Sequence, residues 1–231
     1  VTDHTPKAPA PDNPGAEDAR GTTPREVRPK HAASLILWRP GADGTPEILM
    51  GRRHRDMRFM PGVLVFPGGR VDRGDHGAPA VTPLGAEARA ALEIAATPGL
   101  AHALGCAAAR ELHEEAGLTL GEWRGGRLHA DLGCMDYLCR AITPPRRPIR
   151  FHARFLIAPA ARAHGVIQGS GELEEVRFFS AAEIAEQKLA PITQLVLREF
   201  LDWHGMDEAA RAARQLVRYQ GWDNRVRESR R

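Results

Sequence analysis

The sequence predicts a mixed α/β domain with one core, and three observations lead there. Short apolar runs of strand length are interspersed with longer Ala-, Leu- and Glu-rich runs. No segment repeats. A chain of 231 residues with 42% hydrophobic and 26% charged residues has the size and composition of one globular domain with an appendage.

The same numbers exclude several classes of function. Lys and Arg total 32 against 29 Asp and Glu, a formal net charge of +3, and aromatic residues make up only 6%. That balance gives neither a strong basic stripe nor interleaved stacking residues, so no nucleic-acid partner is expected. No apolar run approaches the ~20 residues of a membrane helix, and the N-terminus lacks the apolar core of a signal peptide. Three cysteines, Cys106, Cys134 and Cys139, form no C-x-x-C pair. An odd count does not suit a disulfide framework, and a reducing, cytoplasmic setting is expected. The last residues, Ser229-Arg230-Arg231, are not a peroxisomal signal of the Ser-Lys-Leu type.

Along the chain, residues 1–29 carry six prolines and almost nothing to bury, which predicts a flexible leader ahead of a domain over 30–220. Ala32 to Trp38 reads as a buried strand, and Glu47 to Gly51 as its hairpin partner across a turn at Gly41 to Gly44. Residues 52–62 are basic, and Val63 to Phe66 gives another strand that ends in Pro67-Gly68-Gly69. Glycines after a strand let backbone N–H groups approach an anion, which marks Gly68 and Gly69 as candidate substrate contacts. Residues 76–101 read as an insertion containing a short helix near Ala86 to Ala95. Ala101 to Ala116 is the clearest helix, free of proline and stopped by Gly117. Strands are expected at Met135 to Ile142, Phe151 to Ile157 and Glu175 to Phe179. Helices are expected at Ala181 to Gln187, Pro191 to Trp203 and Asp207 to Tyr219, placing C-terminal helices over 190–220. A basic, solvated tail over 221–231 holds Arg225, Arg227, Arg230 and Arg231.

The chemistry concentrates on the clearest helix. Arg110-Glu111-Leu112-His113-Glu114-Glu115 places carboxylates at i, i+3 and i+4, which share one helical face. Three like charges held together repel, and a divalent cation resolves the repulsion. Oxygen donors without a His and Cys grouping select Mg²⁺ or Mn²⁺ over zinc. His113 points away from this face.

The run Arg110-Glu-Leu-His-Glu-Glu-Ala-Gly-Leu118 resembles the second half of the Nudix box, R-E-U-x-E-E-x-G-U, at every fixed position. The first half, G-x5-E, is matched by Gly69 and Asp75, with Asp for Glu. Between Asp75 and Arg110 lie 34 residues where the pattern has seven, so 27 are extra and the box is split. A split at this place is similar to that in some coenzyme A diphosphatases. Arg53, Arg58, Gly62 and Phe66-Pro-Gly-Gly69 also fall at the spacing of the coenzyme A motif, R-[SA]-x3-R-x3-G-x3-F-P-G-G, with His54 at the Ser or Ala position. Arg150-Phe-His-Ala-Arg-Phe155 resembles the same branch, with His-Ala where Asp-Thr is expected.

The resemblance implies a mixed sheet between helices, with the box as a strand-loop-helix-loop unit. It implies that Glu111, Glu114 and Glu115 are metal ligands, that Arg110 orients them, and that Glu111 is also a possible base. Glu172, Glu174 and Glu175 are further candidates for the base, Glu174 among the assigned catalytic residues. Arg53 and Arg58 would hold phosphate groups. The implied substrate is coenzyme A or an acyl derivative. The alternatives are another diphosphate (ADP-ribose, NADH or a nucleoside triphosphate) and a ligand-sensing domain without catalysis. Homodimers are common in the family, and the sequence carries no interface signal.

Overall fold

The computed structural model describes residues 27–56, 60–221 and 224–228. The expected leader up to residue 26, and Arg58, lie outside the described residues. The strands and helices, in chain order, are β1 (Lys30–Pro40), β2 (Pro46–Arg53), β3 (Leu64–Val65), β4 (Gly68–Arg70), β5 (Ala80–Thr82), α1 (Ala86–Glu93), α2 (Pro98–Ala116), β6 (Leu118–Arg124), β7 (Arg127–Asp131), β8 (Asp136–Ile142), β9 (Phe151–Pro159), β10 (Ala163–Gly165), β11 (Leu173–Ser180), α3 (Ala181–Ala185), α4 (Pro191–His204), α5 (Glu208–Ala213), β12 (Leu216–Gln220) and β13 (Asn224–Glu228).

A large mixed sheet runs β11-β2-β1-β9-β8-β12-β13, with β3 added to β2 and β4 to β1. β1 pairs in parallel with β9, from Lys30 opposite Phe151 to Trp38 opposite Pro159. Both faces of this sheet are covered, which is why β1 reads as a continuous apolar run. Ala33, Leu35 and Leu37 face one core, formed with α1, α2 and a small sheet β10-β6-β7-β5. Ile36, Ile48 and Met50 face the other, formed with α4. On α4 the buried positions Thr193, Val196, Phe200 and Trp203 recur at helical spacing.

The helix that carries the acids is capped at both ends. Thr97 accepts the Leu100 N–H, Pro98 opens the first turn, and Gly117 closes the helix at φ 71°. Its inward face is mostly small, with Ala101, Ala107, Ala108 and Leu112 fully buried, so the helix lies close against β1.

The segment expected as an insertion, 76–101, packs into the core: Leu84, Ala88, Ala91 and Leu92 are buried against α2, and the end of the segment supplies the first turn of α2 itself. Three expectations are corrected. Residues 214–220 leave the expected helix; β12 instead pairs in parallel with β8, Val217 opposite Cys139, because an open sheet edge there accepts the alternating side chains of Leu216-Val-Arg-Tyr219. The basic tail forms β13 on β12 over 224–228, where Arg225 binds the buried Glu199 at 2.6 Å and Glu228 pairs with Arg140 and Arg218. The strand expected at Val63 to Phe66 shortens to two residues, and Gly68–Arg70 pairs with β1 as a strand of its own. The β6–β7 hairpin had a sequence signal, Gly125-Gly126 at φ 56° and 74°, a two-residue turn that only glycines adopt readily.

Phe200→Ala, which empties the centre of the core beneath α4, is expected to cost about 3–5 kcal/mol in urea denaturation.

Candidate active site: an arginine and its carboxylates

Arg110 stands at the centre of the site. Its Nε and Nη2 donate to the two carboxylate oxygens of Asp75, at 3.0 and 3.1 Å, and Nη2 also donates to the Arg70 carbonyl at 3.0 Å. Nη1 donates to Glu111 and to Glu114, each at 2.8 Å. Asp75 is buried in a 3-10 turn, Arg73–Gly77, and accepts the Asp72 N–H at 2.7 Å. The two halves of the sequence pattern therefore meet in space, although 34 residues separate them. Burial opposes the charge on Arg110, but Asp75 and Glu111 outweigh it and hold the guanidinium firmly protonated.

Glu111 and Glu115 turn towards Gly68 and Gly69. The Gly68 N–H donates to Glu115 Oε2 at 2.8 Å. A Cβ on Gly69 would lie 2.2 Å from Glu111 Oε1, and one on Gly68 would lie 2.5 Å from the Ala33 carbonyl. The glycines thus serve the carboxylates. The Gly68 amide, expected to meet an anion of the substrate, is already bonded to Glu115, and Gly69 leaves the space that the Glu111 side chain fills.

Burial pushes the Glu115 carboxyl up to about 8; the Gly68 N–H opposes this, and the charges of Glu111 and Glu172 reinforce it. Glu111 is also raised, by burial first, with Arg110 opposing and Glu114 and Glu172 adding to the shift. A buried carboxyl, Glu115, and a part-buried one, Glu111, facing a third acid resist ionising together, and this set of oxygen donors fits a hard divalent cation.

The expected convergence of three acids is met by two. Glu114 is turned outwards onto Arg110, and among the described residues no three carboxylate, imidazole or thiol groups close around one point. Because Glu114 is exposed, its ion pair with Arg110 is weak and can be exchanged for a cation at little cost.

The acids before β11 divide their tasks. Glu174 lies 2.9 Å from His54 Nε2, within hydrogen-bond reach, and Glu175 makes an ion pair with Arg52 at 2.8 Å. Glu172, whose backbone carbonyl accepts the His54 N–H at 3.0 Å, is the one whose charge reaches Glu111 and Glu115. Sequence position alone did not separate the three. Arg53 ends β2, and its charge stabilises the Glu115 carboxylate. His113 faces away, bonded to Thr119 at 3.1 Å and packed edge-on against Trp123. Asp75, missing from the residues assigned to the site, was recognisable only as the acid of a split pattern.

No family model matches the sequence, and no curated protein does. The structure is similar to a Nudix hydrolase from Alicyclobacillus acidocaldarius, at 25% identity and a TM-score of 0.60, over 74% of this chain and 90% of that one. The chain has the Nudix fold. Looser likenesses include the Nudix domain of NrtR from Shewanella oneidensis, solved with ADP ribose (13% identity, TM-score 0.49, 80% of this chain and 94% of that one). A MutT Nudix hydrolase from Burkholderia pseudomallei matches at 19% identity and a TM-score of 0.46, over 75% and 98% of the two chains. Within the Nudix fold, the strand-loop-helix unit here is β4, the 3-10 turn and α2, with residues 78–97 spliced between turn and helix.

Asp75→Ala leaves the Arg110 guanidinium without its buried partner and is expected to destabilise the protein by about 3 kcal/mol in urea denaturation. A second expectation concerns pH. Because the folded state holds a proton on Glu115 up to about 8, against an ordinary value of 4.5, its contribution to stability is full below pH 4.5 and is lost as pH rises through about 8. Melting curves in EDTA should fall over that window, and Glu115→Gln should flatten the fall.

Proposed function

We propose that this protein is an enzyme that hydrolyses a diphosphate bond in a nucleotide-linked small molecule, with coenzyme A or an acyl derivative as the substrate. The observation that carries the reading is the pair of carboxylates, part-buried Glu111 and buried Glu115, gathered on the Gly68-Gly69 strand by an Arg110–Asp75 ion pair. Burial disfavours the ionised form of both carboxyls, so the arrangement is explained by what it binds.

Glu111 and Glu115, joined by Glu114, would hold Mg²⁺ or Mn²⁺. Such an ion, when bound, neutralises charge on the diphosphate and lowers the pKa of a bound water. Arg110 keeps the acids in register through its five hydrogen bonds. Glu172 is the better candidate to take the proton from the attacking water, since Glu174 is engaged by His54. Glu111 is the second candidate. Arg53, at the edge of the same site, meets a phosphate oxygen of the substrate; we assign Arg58 the same role from its spacing alone.

Support for coenzyme A comes from the segment that carries the motif. The Arg53 N–H donates to the Val63 carbonyl and the Gly62 N–H to the Arg53 carbonyl, so the motif closes a loop directly before the Gly68-Gly69 strand. ADP-ribose, NADH and nucleoside triphosphates remain the competing substrates, because fold and box do not choose among them. The three thiols, unpaired among the described residues, agree with a reducing compartment such as the cytoplasm. No described helix is long and apolar enough to cross a membrane.

The test is hydrolysis of coenzyme A, acetyl-coenzyme A, ADP-ribose, NADH and dGTP with Mg²⁺ or Mn²⁺, beside Glu115→Gln. Coenzyme A turnover is expected, abolished by EDTA and reduced at least about a hundredfold in the variant. Turnover of another compound alone would discard coenzyme A and keep the hydrolase. No turnover of any compound would favour a ligand-sensing domain.

A further inference from the structure

A second concentration of charge lies behind the box. Lys30, His31, Arg70, Val71, Asp72 and His76 line a pocket of about 250 Å³, where the start of β1 meets the end of β4 and the 3-10 turn. Four of these six side chains are basic and one, Asp72, is acidic. The pocket is smaller than the ~300 Å³ at which sites for drug-sized ligands begin, which suits a small ion or one terminal group.

Behind His31 lies a buried cation. Arg154 is only 1% exposed, and it donates to His31 Nδ1 at 2.9 Å, to the His152 carbonyl at 2.8 Å and to the Ala95 carbonyl at 2.7 Å. All three acceptors are neutral. Its Nε has no hydrogen-bond partner, and among the described residues no carboxylate pairs with it. Its cross-strand neighbour is another cation, Arg140, which is itself matched by Glu228. His152 nearby is kept neutral, its pKa pushed down to about 3 by burial and by Arg154 and Arg140. A buried guanidinium compensated by dipoles alone is costly, and an anion on the open side of His31 offsets that cost. Because His31 Nδ1 accepts from Arg154, the ring is neutral and its Nε2 is the donor.

We propose that this pocket is an oxyanion site, separate from the carboxylate site, that takes inorganic phosphate or the terminal phosphate of a monoester. Lys30 and Arg70 supply charge, and the His31 and His76 rings supply directed donors. Its floor is the backbone that holds the Arg110 pair. The Arg70 carbonyl accepts from Arg110, the Val71 N–H donates to the His31 carbonyl at 3.0 Å, and the Asp72 N–H donates to Asp75. An anion bridging Lys30 and Arg70 ties β1 to that segment and steadies the pair from behind. The site does not depend on the hydrolase reading.

The test uses the full chain in EDTA at constant ionic strength, titrated with inorganic phosphate and, separately, with adenosine monophosphate against a chloride control. Calorimetry gives the affinity, and backbone amide spectra locate the site. Saturable binding is expected, with shifts at Val71 and Asp72, weakened at least about tenfold in Lys30→Glu and in His76→Glu and unchanged in Glu115→Gln. Phosphate binding alone would assign the free ion as occupant; the same shifts with adenosine monophosphate would assign the terminal phosphate of a monoester. Binding no stronger than chloride, binding indifferent to both pocket variants, or shifts centred on residues 111–115 would overturn the proposal.

Discussion

The Arg110 to Asp75 ion pair is the interaction on which the site depends. Asp75 is buried, and Arg110 has every one of its N–H directions committed to Asp75, the Arg70 carbonyl, Glu111 or Glu114. A guanidinium held in this way cannot shift without exposing a buried carboxylate, so α2 is locked in rotation and height against the loop after β4. That lock sets Glu111 and Glu115 opposite Gly68 and Gly69, where a side chain at position 69 would collide with Glu111 and one at position 68 with Ala33 and Ser34 of β1. The electrostatic repulsion among the acids is thus offset by one well-satisfied arginine.

The long segment between the two halves of the pattern is compatible with this lock because it closes on itself. Both its ends are anchored, one by the 3-10 turn that holds Asp75 and the other by the Thr97 cap that starts α2. Between them α1 buries Leu92 and two alanines against α2, so the insertion contributes to the core. The loop-closure cost grows only slowly with length, and apolar burial offsets it. On the same face of the sheet the insertion also reaches β9, where the Ala95 carbonyl accepts the buried Arg154. Through that contact the insertion helps to hold the cation that lies behind the pocket of Lys30 and Arg70.

Charge in this protein is arranged in two opposed regions on either side of one short strand. On the α2 side of β4, carboxylates outnumber their cationic partners, and burial raises Glu111 and Glu115. Towards the start of β1, cations outnumber carboxylates, and burial lowers His31 and His152. Each region is costly by itself, and each is of the sign that attracts a small ion of the other sign. The formal net charge of +3 conceals this separation entirely.

Much of the site was legible in the sequence for a local reason. Helix α2, its glycine stop and the one-face spacing of Glu111, Glu114 and Glu115 follow from 3.6-residue periodicity and capping, which need no distant partner. The buried character of β1 and the flanking glycines were equally local. What the tertiary structure decided were matters of long-range closure. Spacing on a helix does not say that Arg110 would draw Glu114 outwards, nor that Gly68 would spend its amide on Glu115. Composition could not separate Glu172 from Glu174, because His54, over a hundred residues earlier in the chain, makes the distinction. The strands β12 and β13 exist because β8 would otherwise leave an open sheet edge, a condition that no window of sequence around residues 214–228 contains.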